Sequence, residues 1–399
     1  MIDYLSYILF FLILILFFIY IYIRLKYGFW YSQPVFHIYD LLYIFKPPGI
    51  IQHSLPEKNK YTNFKNIETI LFSELSEFKK TRLVQFIRSN YLQNKENIFS
   101  PQSENILPYF TGHNTKTFVS FYNEDNIMND LKTGNIITDK KVIGIMTSRP
   151  IYIIIHENNK QNTLYAYYVD YLCVDKMFRK KGIASQMIKT HEYNKIHLNK
   201  NIVVYLFKRE DELTAIVPLC VYSTYGFSVN KWTKPHDLHA SYTLLEINNQ
   251  NFHFLFDFMK QNSNQFSVVI YTEVTNMIEL IKTKNMFIYV ILAENKIISA
   301  YFYRKSCTFI EKNMEVLSCF ASINNTEDNL FIQGFKISFW KIAAENMFGF
   351  SAIEEISHNH IIIENLKQKT TPMIISPTAY FFYNFAYTTL SSEKVFIIN

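Results

Sequence analysis

A strand, a basic loop and a helix follow one another near the middle of this sequence, and they limit the possible folds more than any other stretch. Residues 165–174 alternate aromatic and aliphatic side chains, which is typical of a β-strand, and a helical pattern covers residues 183–195. The basic loop 176–181 lies between them, and Gly182 allows a ligand to approach the backbone closely. The free N–H groups and the dipole at a helix start attract an anion. The pattern predicts a pyrophosphate-binding loop in an α/β fold.

The spacing Arg179-x-x-Gly182-x-Ala184 resembles the acyl-CoA cradle of the GNAT N-acyltransferases. The resemblance implies that acyl-CoA is held by a short group of consecutive residues: Arg179, Lys180, Lys181, Gly182, Ile183 and Ala184. The alternative is a basic loop that merely precedes an ordinary surface helix, because a short glycine pattern is weak evidence by itself.

The bulk composition excludes several other classes. With 399 residues the chain is long enough for two domains. The net charge of +6 is small and spread along the chain, so we expect no nucleic-acid partner. The four cysteines are far apart and show no metal-ligand spacing, which predicts reduced core residues and no metal site: Cys173, Cys220, Cys307 and Cys319.

An uncharged run, residues 4–23, is long enough to span a bilayer. Arg24 and Lys26 follow it at once, whereas Asp3 is the only charge before it. The positive-inside rule therefore predicts a single-pass membrane protein whose following domains face the cytosol. A cleaved signal peptide is the alternative, but no basic residues precede the run and no small-residue cleavage site ends it.

The segment YGFWYSQPV follows this run. Its FWxxQPV core resembles the start of the catalytic domain in glycylpeptide N-tetradecanoyltransferases (N-myristoyltransferases), an element that packs on CoA. The matching residues are Phe29, Trp30, Gln33, Pro34 and Val35. The resemblance implies CoA contacts from Tyr27, Gly28, Phe29 and Trp30, within a CoA-contacting segment and linker that covers residues 24–61.

Residues 66–90 show apolar positions on one helical face and predict an amphipathic helix. The following loop resembles the family's Asn-Tyr loop, and this implies that Tyr91 contacts the peptide substrate. The family's acidic run is missing, because residues 93–96 read Gln-Asn-Lys-Glu. A preference for basic peptides is therefore not predicted.

Residues 140–155 predict two strands joined by a polar, proline-containing turn, and residues 295–310 repeat the pattern. A strand, a helix and a strand follow each copy, which indicates an internal duplication. The resemblance implies two tandem GNAT-like units behind the membrane helix. The first unit, residues 62–238, would bind acyl-CoA, and the second, residues 239–399, would bind the peptide.

Two further matches concern the reacting groups. Tyr171-Leu172-Cys173-Val174 matches the family's Phe-Leu-Cys-Val, where a strand bulge directs two backbone N–H groups at the thioester oxygen. The resemblance implies that Tyr171 and Leu172 form an oxyanion hole, although alternating core residues would explain the string equally well. Asp170 stands where the family has an asparagine that contacts the incoming glycine, and a carboxylate there would favour an ammonium group.

Two candidates are matched less directly. The family's threonine that touches the substrate amine has its nearest match in Thr214, several residues downstream of the expected place. Tyr225 belongs to a Tyr-x-x-Tyr-Gly-Phe pattern common late in GNAT domains, where it would contact substrate, and a plain core role explains it equally well.

The last residues read Glu-Lys-Val-Phe-Ile-Ile-Asn and resemble the family's Glu-Lys-Val signature before a terminal carboxylate that acts as base. Residues 395–398 are apolar and predict a buried strand that carries Asn399 inward. Burial would raise the pKa of an α-carboxylate from its ordinary value of about 3.5. A frayed terminus is the alternative.

Together these features predict a monomeric, membrane-anchored acyltransferase without metal or permanently bound cofactor. The expected reaction moves a long acyl chain, myristoyl, from acyl-CoA to the N-terminal glycine of proteins. One alternative is an inactive, membrane-tethered protein that binds acyl-CoA or acylated peptides. Another is a GNAT-type N-acetyltransferase of a small amine, against which the YGFWYSQPV segment and the C-terminal residues argue.

Overall fold

A computed structural model describes residues 2–40, 49–92, 97–129, 136–157, 160–210, 215–230, 232–310 and 314–399. These residues form helices α1 Ile2–Tyr31, α2 Glu77–Asn90, α3 Ser103–Ile106, α4 Ile183–Leu198, α5 Phe252–Asn262, α6 Val274–Lys282, α7 Asp328–Asn346 and α8 Asn359–Lys367. They also form strands β1 Gly49–Ile50, β2 Ile67–Leu71, β3 Asn97–Phe99, β4 Phe118–Asn129, β5 Ile136–Glu157, β6 Lys160–Val169, β7 Leu172–Val174, β8 Val204–Glu210, β9 Cys220–Ser228, β10 Tyr242–Glu246, β11 Val268–Tyr271, β12 Met286–Ala293, β13 Lys296–Ile310, β14 Met314–Asn324, β15 Phe348–Glu354, β16 Ile374–Tyr383, β17 Phe385–Ala386 and β18 Val395–Ile398.

The apolar N-terminal run forms the exposed helix α1, as its composition predicts. A stretch of 26 residues, Ser6–Tyr31, is long and apolar enough to cross a membrane. The helix continues beyond residue 23 and kinks at Gly28 (φ 16°). The first residues of YGFWYSQPV, up to Tyr31, therefore belong to the last turns of this helix.

One sheet of sixteen strands joins both halves of the chain. In the first half β5 pairs antiparallel with β6, and β6 pairs parallel with β8 after the crossover helix α4. In the second half β13 pairs antiparallel with β14, and β14 pairs parallel with β15 after α7. The same pairings thus occur twice, as the repeated sequence pattern predicts.

Later strands of each half pair with strands of the other half. β16 pairs with both β8 and β9, and β9 pairs with β15. The last strand, β18, lies parallel to β11, which itself pairs with β5 of the first half. The topology therefore brings the C-terminal residues beside the strands of the first half.

The expectation of two strands in residues 140–155 is wrong, because these residues belong to the single long strand β5. Pro150 suggested a turn, since proline cannot donate to a strand ladder. However, β4 pairs with β5 only up to Ser148, and β11 begins to pair at Tyr152. Pro150 falls in the gap between these neighbours, where its missing N–H costs no hydrogen bond. Residues 295–310 likewise form one strand, β13.

The helix predicted for residues 66–90 is also shorter than expected. Ile67–Leu71 forms β2, which pairs with β4, and α2 begins only after Ser76, whose side chain accepts a hydrogen bond from the N–H of Lys79. Apolar residues at close spacing fit a strand or a helix, and pairing with β4 decides between them. Phe78, expected on the buried face, is largely exposed.

Candidate active site

A β-bulge separates β6 from β7. Arg149 of β5 pairs with Tyr168, and Met146 pairs with Leu172, so two residues of β5 face the three residues 169–171. Such a bulge bends the strand and redirects its backbone groups. Pairing of β6 with β8 ends at Val169 and Phe207, so the strands diverge at the bulge.

The backbone N–H groups at the bulge have different surroundings. The N–H of Tyr171 donates to the hydroxyl of Thr147 at 3.1 Å. Hydrogen bonds join Thr147 N–H to Tyr171 O and Asp175 N–H to Ile143 O, each at 2.9 Å. Tyr171 and Asp175, which flank β7, thus bond to β5 through their backbone groups, and by the alternation of the ladder Leu172 directs its N–H away from β5. Of the two oxyanion candidates, Leu172 has the N–H that is turned away from the ladder.

A cavity of about 360 Å³ lies where the strands diverge. Its wall combines the end of α1, the bulge, one face of α4, strand β8 and the end of β16. The lining residues are Phe29, Trp30, Tyr91, Met146, Val169, Asp170, Leu172, Ala184, Ser185, Ile188, Glu192, Tyr205, Phe207, Lys208, Arg209 and Tyr383. The predicted candidates Phe29, Trp30, Tyr91, Asp170, Leu172 and Ala184 thus share one cavity.

The start of α4 meets this cavity through Ala184 and Ser185. Gly182 caps the helix with φ 76°, and the first helical hydrogen bond runs from Gln186 N–H to Gly182 O at 3.2 Å. The N–H groups of residues 183–185 therefore lack acceptors within the helix. Since an N-terminal turn with free N–H groups favours an anion, this edge of the cavity suits a phosphate group.

Three basic residues at the end of the loop, Arg179, Lys180 and Lys181, have different surroundings. Lys180 and Lys181 are exposed beside the helix start, where they can approach an anion. The guanidinium of Arg179 instead donates to the carbonyl oxygens of Val174 (3.2 Å) and Asn90 (2.8 Å). Arg179 therefore ties the loop to the end of α2. Ile183, also predicted to hold CoA, is buried beneath the loop.

The aromatic residues at the end of α1 form another wall of the cavity. Trp30 stacks on Phe207 with ring centroids 5.8 Å apart, and Phe29 packs edge-on against Tyr61 at 5.0 Å. Tyr27 and Gly28, predicted to contact CoA with them, are not among the residues that line the cavity. The end of the apolar helix is thus part of the candidate site.

Asp170 lies at the apex of the bulge. One carboxylate oxygen, Oδ1, accepts a hydrogen bond from Nε of the buried Arg149 at 2.9 Å. The other, Oδ2, is buried and has no hydrogen-bond partner among the described residues. Burial raises the pKa of Asp170, and the charges of Arg149 and Arg304 oppose that rise.

The last strand carries Asn399 into the interior, as the apolar sequence predicts. All four residues of β18 are buried, and Asn399 is only 2% exposed. Arg304 donates to the side-chain oxygen of Asn399 at 3.5 Å.

Beside Asn399 lies a buried acid that sequence reasoning missed. Glu354 contacts Arg304, and its other oxygen accepts hydrogen bonds from Lys208 (3.1 Å) and Tyr222. Burial alone would raise the pKa of Glu354, but Lys208, Arg304 and the hydrogen bonds lower it to about 2. Glu354 is therefore an anion that holds Arg304 beside Asn399.

The remaining candidates are placed as follows. Tyr91 lines the cavity, and its hydroxyl lies 3.5 Å from the carbonyl oxygen of Asp170. Tyr225 lies in β9 with Lys367 3.7 Å from its ring centre, and it is not a lining residue of the cavity. Thr214 lies outside the described residues.

No protein-family model and no curated protein matches this sequence. Comparison with solved structures shows which proteins the fold is similar to. Saccharomyces cerevisiae N-myristoyltransferase with bound myristoyl-CoA is similar at 12% identity, with TM-scores of 0.69 and 0.71 in two structures. Those matches cover 92% and 93% of this chain and 94% of the yeast chain.

A third structure of the yeast enzyme, with bound myristoyl-CoA and inhibitors, has a TM-score of 0.70 at 12% identity and covers 92% of each chain. These likenesses extend over both halves of the sheet. The chain therefore has the N-myristoyltransferase fold, as the sequence resemblance implies.

Proposed function

We propose that this protein transfers a myristoyl group from myristoyl-CoA to the N-terminal glycine amine of proteins. The observation that carries the proposal is the cavity. The start of α4, the bulged strand and the carboxyl groups of Asp170 and Glu192 all lie along its wall. The fold shared with a myristoyl-CoA-binding enzyme supports the choice of acyl donor. An N-acyltransferase needs these elements together.

In this proposal the CoA pyrophosphate binds at the N–H groups that follow Gly182, with Lys180 and Lys181 close by. The aromatic residues Phe29 and Trp30 cover the pantetheine, and the acyl chain enters the cavity along α4. Because the lining is largely apolar, it suits a hydrocarbon chain. The second half of the chain, together with Tyr91, receives the peptide.

In this proposal the thioester carbonyl of the acyl-CoA lies at the bulge between β6 and β7. The N–H of Leu172 stabilises the developing oxyanion. The α-carboxylate of Asn399 acts as a base for the substrate nitrogen. Asn399 is buried, and Arg304 contacts its side-chain oxygen. The nitrogen then displaces CoA, whose thiolate takes up a proton.

The activity is tested with the full chain in detergent, myristoyl-CoA and a panel of glycine-initiated peptides. Mass spectrometry should show acylation of the N-terminal amine, and matched peptides that start with alanine should react at least about tenfold more slowly. If no acyl-CoA in a series of chain lengths acylates any peptide, the proposal is wrong.

An acyl-CoA-binding protein without catalytic activity is the second candidate. The observation in its favour is the hydrogen bond from Tyr171 N–H to Thr147, which occupies one of the two predicted oxyanion donors. Tight binding of myristoyl-CoA without any acyl transfer would support this candidate. Acylated peptide product would exclude it.

Gly182→Asp is expected to weaken acyl-CoA binding by about 100-fold or more, because like charges brought together cost several kcal/mol. The matched control is Gly182→Asn, which has nearly the same shape but no charge. Asparagine tolerates the left-handed conformation of Gly182 (φ 76°), and an added Cβ meets no atom within 4 Å. Calorimetry with myristoyl-CoA measures both variants, and equal affinities would refute the anion site.

We propose that α1 anchors the protein with the folded units in the cytosol. Arg24 and Lys26 lie in its C-terminal part, on the side that the positive-inside rule assigns to the cytosol. Protease added to sealed microsomes should therefore degrade everything after the helix. If those residues are protected until detergent is added, the folded units face the lumen and the proposed orientation is wrong.

A further inference from the structure

Two acidic residues line the cavity, and their carboxylates differ in how they are satisfied. Glu192 accepts hydrogen bonds from Lys189 at 2.8 Å and from the hydroxyl of Tyr383 at 2.9 Å. Asp170 uses only Oδ1, on Arg149, and its buried Oδ2 has no partner among the described residues. A buried acceptor without a partner is destabilising, so a ligand that donates a hydrogen bond to Oδ2 would be favoured there.

The charge of that ligand follows from the groups around Asp170. Arg149 contacts this carboxyl group through Nε, which donates to Oδ1. A cationic donor such as an ammonium group would satisfy Oδ2 through both charge and hydrogen bonding. Leu172 of the same bulge lines the same cavity, so an amine held at Asp170 lies close to the proposed thioester position.

Arg304 connects Asp170 with Asn399. Its guanidinium lies 3.5 Å from the side-chain oxygen of Asn399, and its charge opposes the rise in the pKa of Asp170. Asn399 is not among the residues that line the cavity. Of the carboxyl groups of Asp170 and Asn399, only that of Asp170 meets the cavity directly.

Acylation of an ammonium group requires that its nitrogen lose two protons. The first must leave before attack, since only the free amine has a lone pair. The second leaves after the carbon–nitrogen bond has formed, because the nitrogen of the tetrahedral intermediate is again positively charged. One base can take both in turn, but the carboxyl groups of Asp170 and Asn399 provide a separate acceptor for each.

We propose that Asp170 is a catalytic base that binds the substrate ammonium through Oδ2 and takes its first proton. This step rests on the proposed acyltransferase function. The amine then attacks the thioester carbon, and the α-carboxylate of Asn399 takes the second proton. The carbon–sulfur bond breaks, and the thiolate takes up a proton. Of the two protons lost by nitrogen, one is thus balanced on CoA and the other passes to solvent.

Arg149 is the positioning residue in this arrangement. Its side chain is 1% exposed and lies over the rings of Tyr109 and Tyr168, so it has little freedom to move. By holding Oδ1 it leaves Oδ2 for the substrate. Asparagine at position 170 would still accept from Arg149 but could not take a proton.

The other ionisable groups near Asp170 stay in one state around neutral pH. They are Arg149, Arg304, Tyr91, Tyr109, Tyr168 and Tyr171. Both arginines remain charged. Burial raises the pKa of each of the four tyrosines above its ordinary value of 10.0. A change in rate between about pH 6 and 8 therefore reports on carboxylates or on the substrate amine, whose pKa is about 8.

The test compares the full chain with Asp170→Asn in detergent, using myristoyl-CoA and a glycine-initiated peptide. At about pH 6.5 the variant's kcat/KM should fall by about 100-fold or more, the usual contribution of a general base. Its affinity for myristoyl-CoA should not change. The deficit should shrink as the pH approaches 8, because more of the amine is already deprotonated. Asp257→Asn, on the exposed face of α5, is the matched control and should behave as the wild type.

Asp170→Asn leaves Arg149 buried without an anion, so its melting temperature must be measured. The double variant Asp170→Asn, Arg149→Gln removes both charges and should show the same pH-dependent deficit even if the single variant does not fold. A loss that is the same at every pH, or no loss at all, would overturn the role of Asp170 and leave the acyltransferase function intact. A wild-type protein that acylates no peptide would overturn both.

Discussion

Adding a short peptide after Asn399 is expected to lower the rate of peptide acylation by about 100- to 10,000-fold, the range that loss of a general base produces. The addition turns the α-carboxylate into a neutral amide, which cannot accept a proton. Binding of myristoyl-CoA should survive, because the helix start near Gly182 is a separate element. Single-turnover assays of acyl transfer, together with calorimetry, separate these two effects.

Bulk and charge need separate controls, because Asn399 is buried and an added peptide could disturb its surroundings. A semisynthetic protein with a C-terminal carboxamide at Asn399 removes the charge and adds almost no volume. It should lose as much activity as the extended protein. Asn399→Ala keeps the carboxylate and should remain active within a few-fold, although it loses the contact with Arg304. An extended protein that acylates peptides at the wild-type rate would exclude this base.

Deletion of residues 396–399 should be at least as damaging but is less informative. Phe396 stacks on Phe266 at 5.1 Å and meets Phe302 edge-on at 5.5 Å, so the deletion also opens a hole in the core. Loss of activity would then mix chemistry with destabilisation. The carboxamide variant is the sharper test for this reason.

Local patterns were sufficient to predict the elements of the site that lie within one stretch of sequence. The helix after Gly182 and the burial of residues 395–398 are both confirmed. Each depends on neighbouring residues alone: a helical period in the first case and four apolar residues in succession in the second. The sequence resemblance also predicted Phe29, Trp30 and Tyr91 as site residues, and the fold brings all three to one cavity.

Long-range pairing decided what the sequence could not predict. Pro150 looked like a turn because its place between β4 and β11 is a property of the sheet and not of its neighbours in sequence. The charged partners are equally remote in sequence. Arg149 lies 21 residues before Asp170, and Glu354 pairs with Arg304 across 50 residues and with Lys208 across 146. No local sequence pattern predicts such ion pairs, because the fold determines both whether a charged side chain is buried and which residue it pairs with.

Glu354→Leu is expected to lower the free energy of unfolding by about 3–5 kcal/mol, the usual cost of breaking a buried ion pair. The change leaves Arg304 and Lys208 without their shared anion, and Arg304 would no longer be held beside Asn399. Glu354→Gln keeps the shape and part of the hydrogen bonding and should cost less. Denaturant unfolding of the detergent-solubilised chain measures both, with Glu364→Gln on the exposed face of α8 as the matched control.

The same residue predicts how the wild-type protein responds to acid. The pKa of Glu354 is about 2 in the folded protein, below its ordinary value of 4.5. Ionised Glu354 therefore stabilises the fold fully above about pH 4.5, and this contribution of about 3 kcal/mol is lost as the pH falls from 4.5 towards 2. Glu354→Gln has no proton to gain, so the difference in stability between wild type and this variant should shrink over that range. A difference that stays constant between pH 5 and 2.5 would mean that Glu354 is not held as an anion by Arg304 and Lys208.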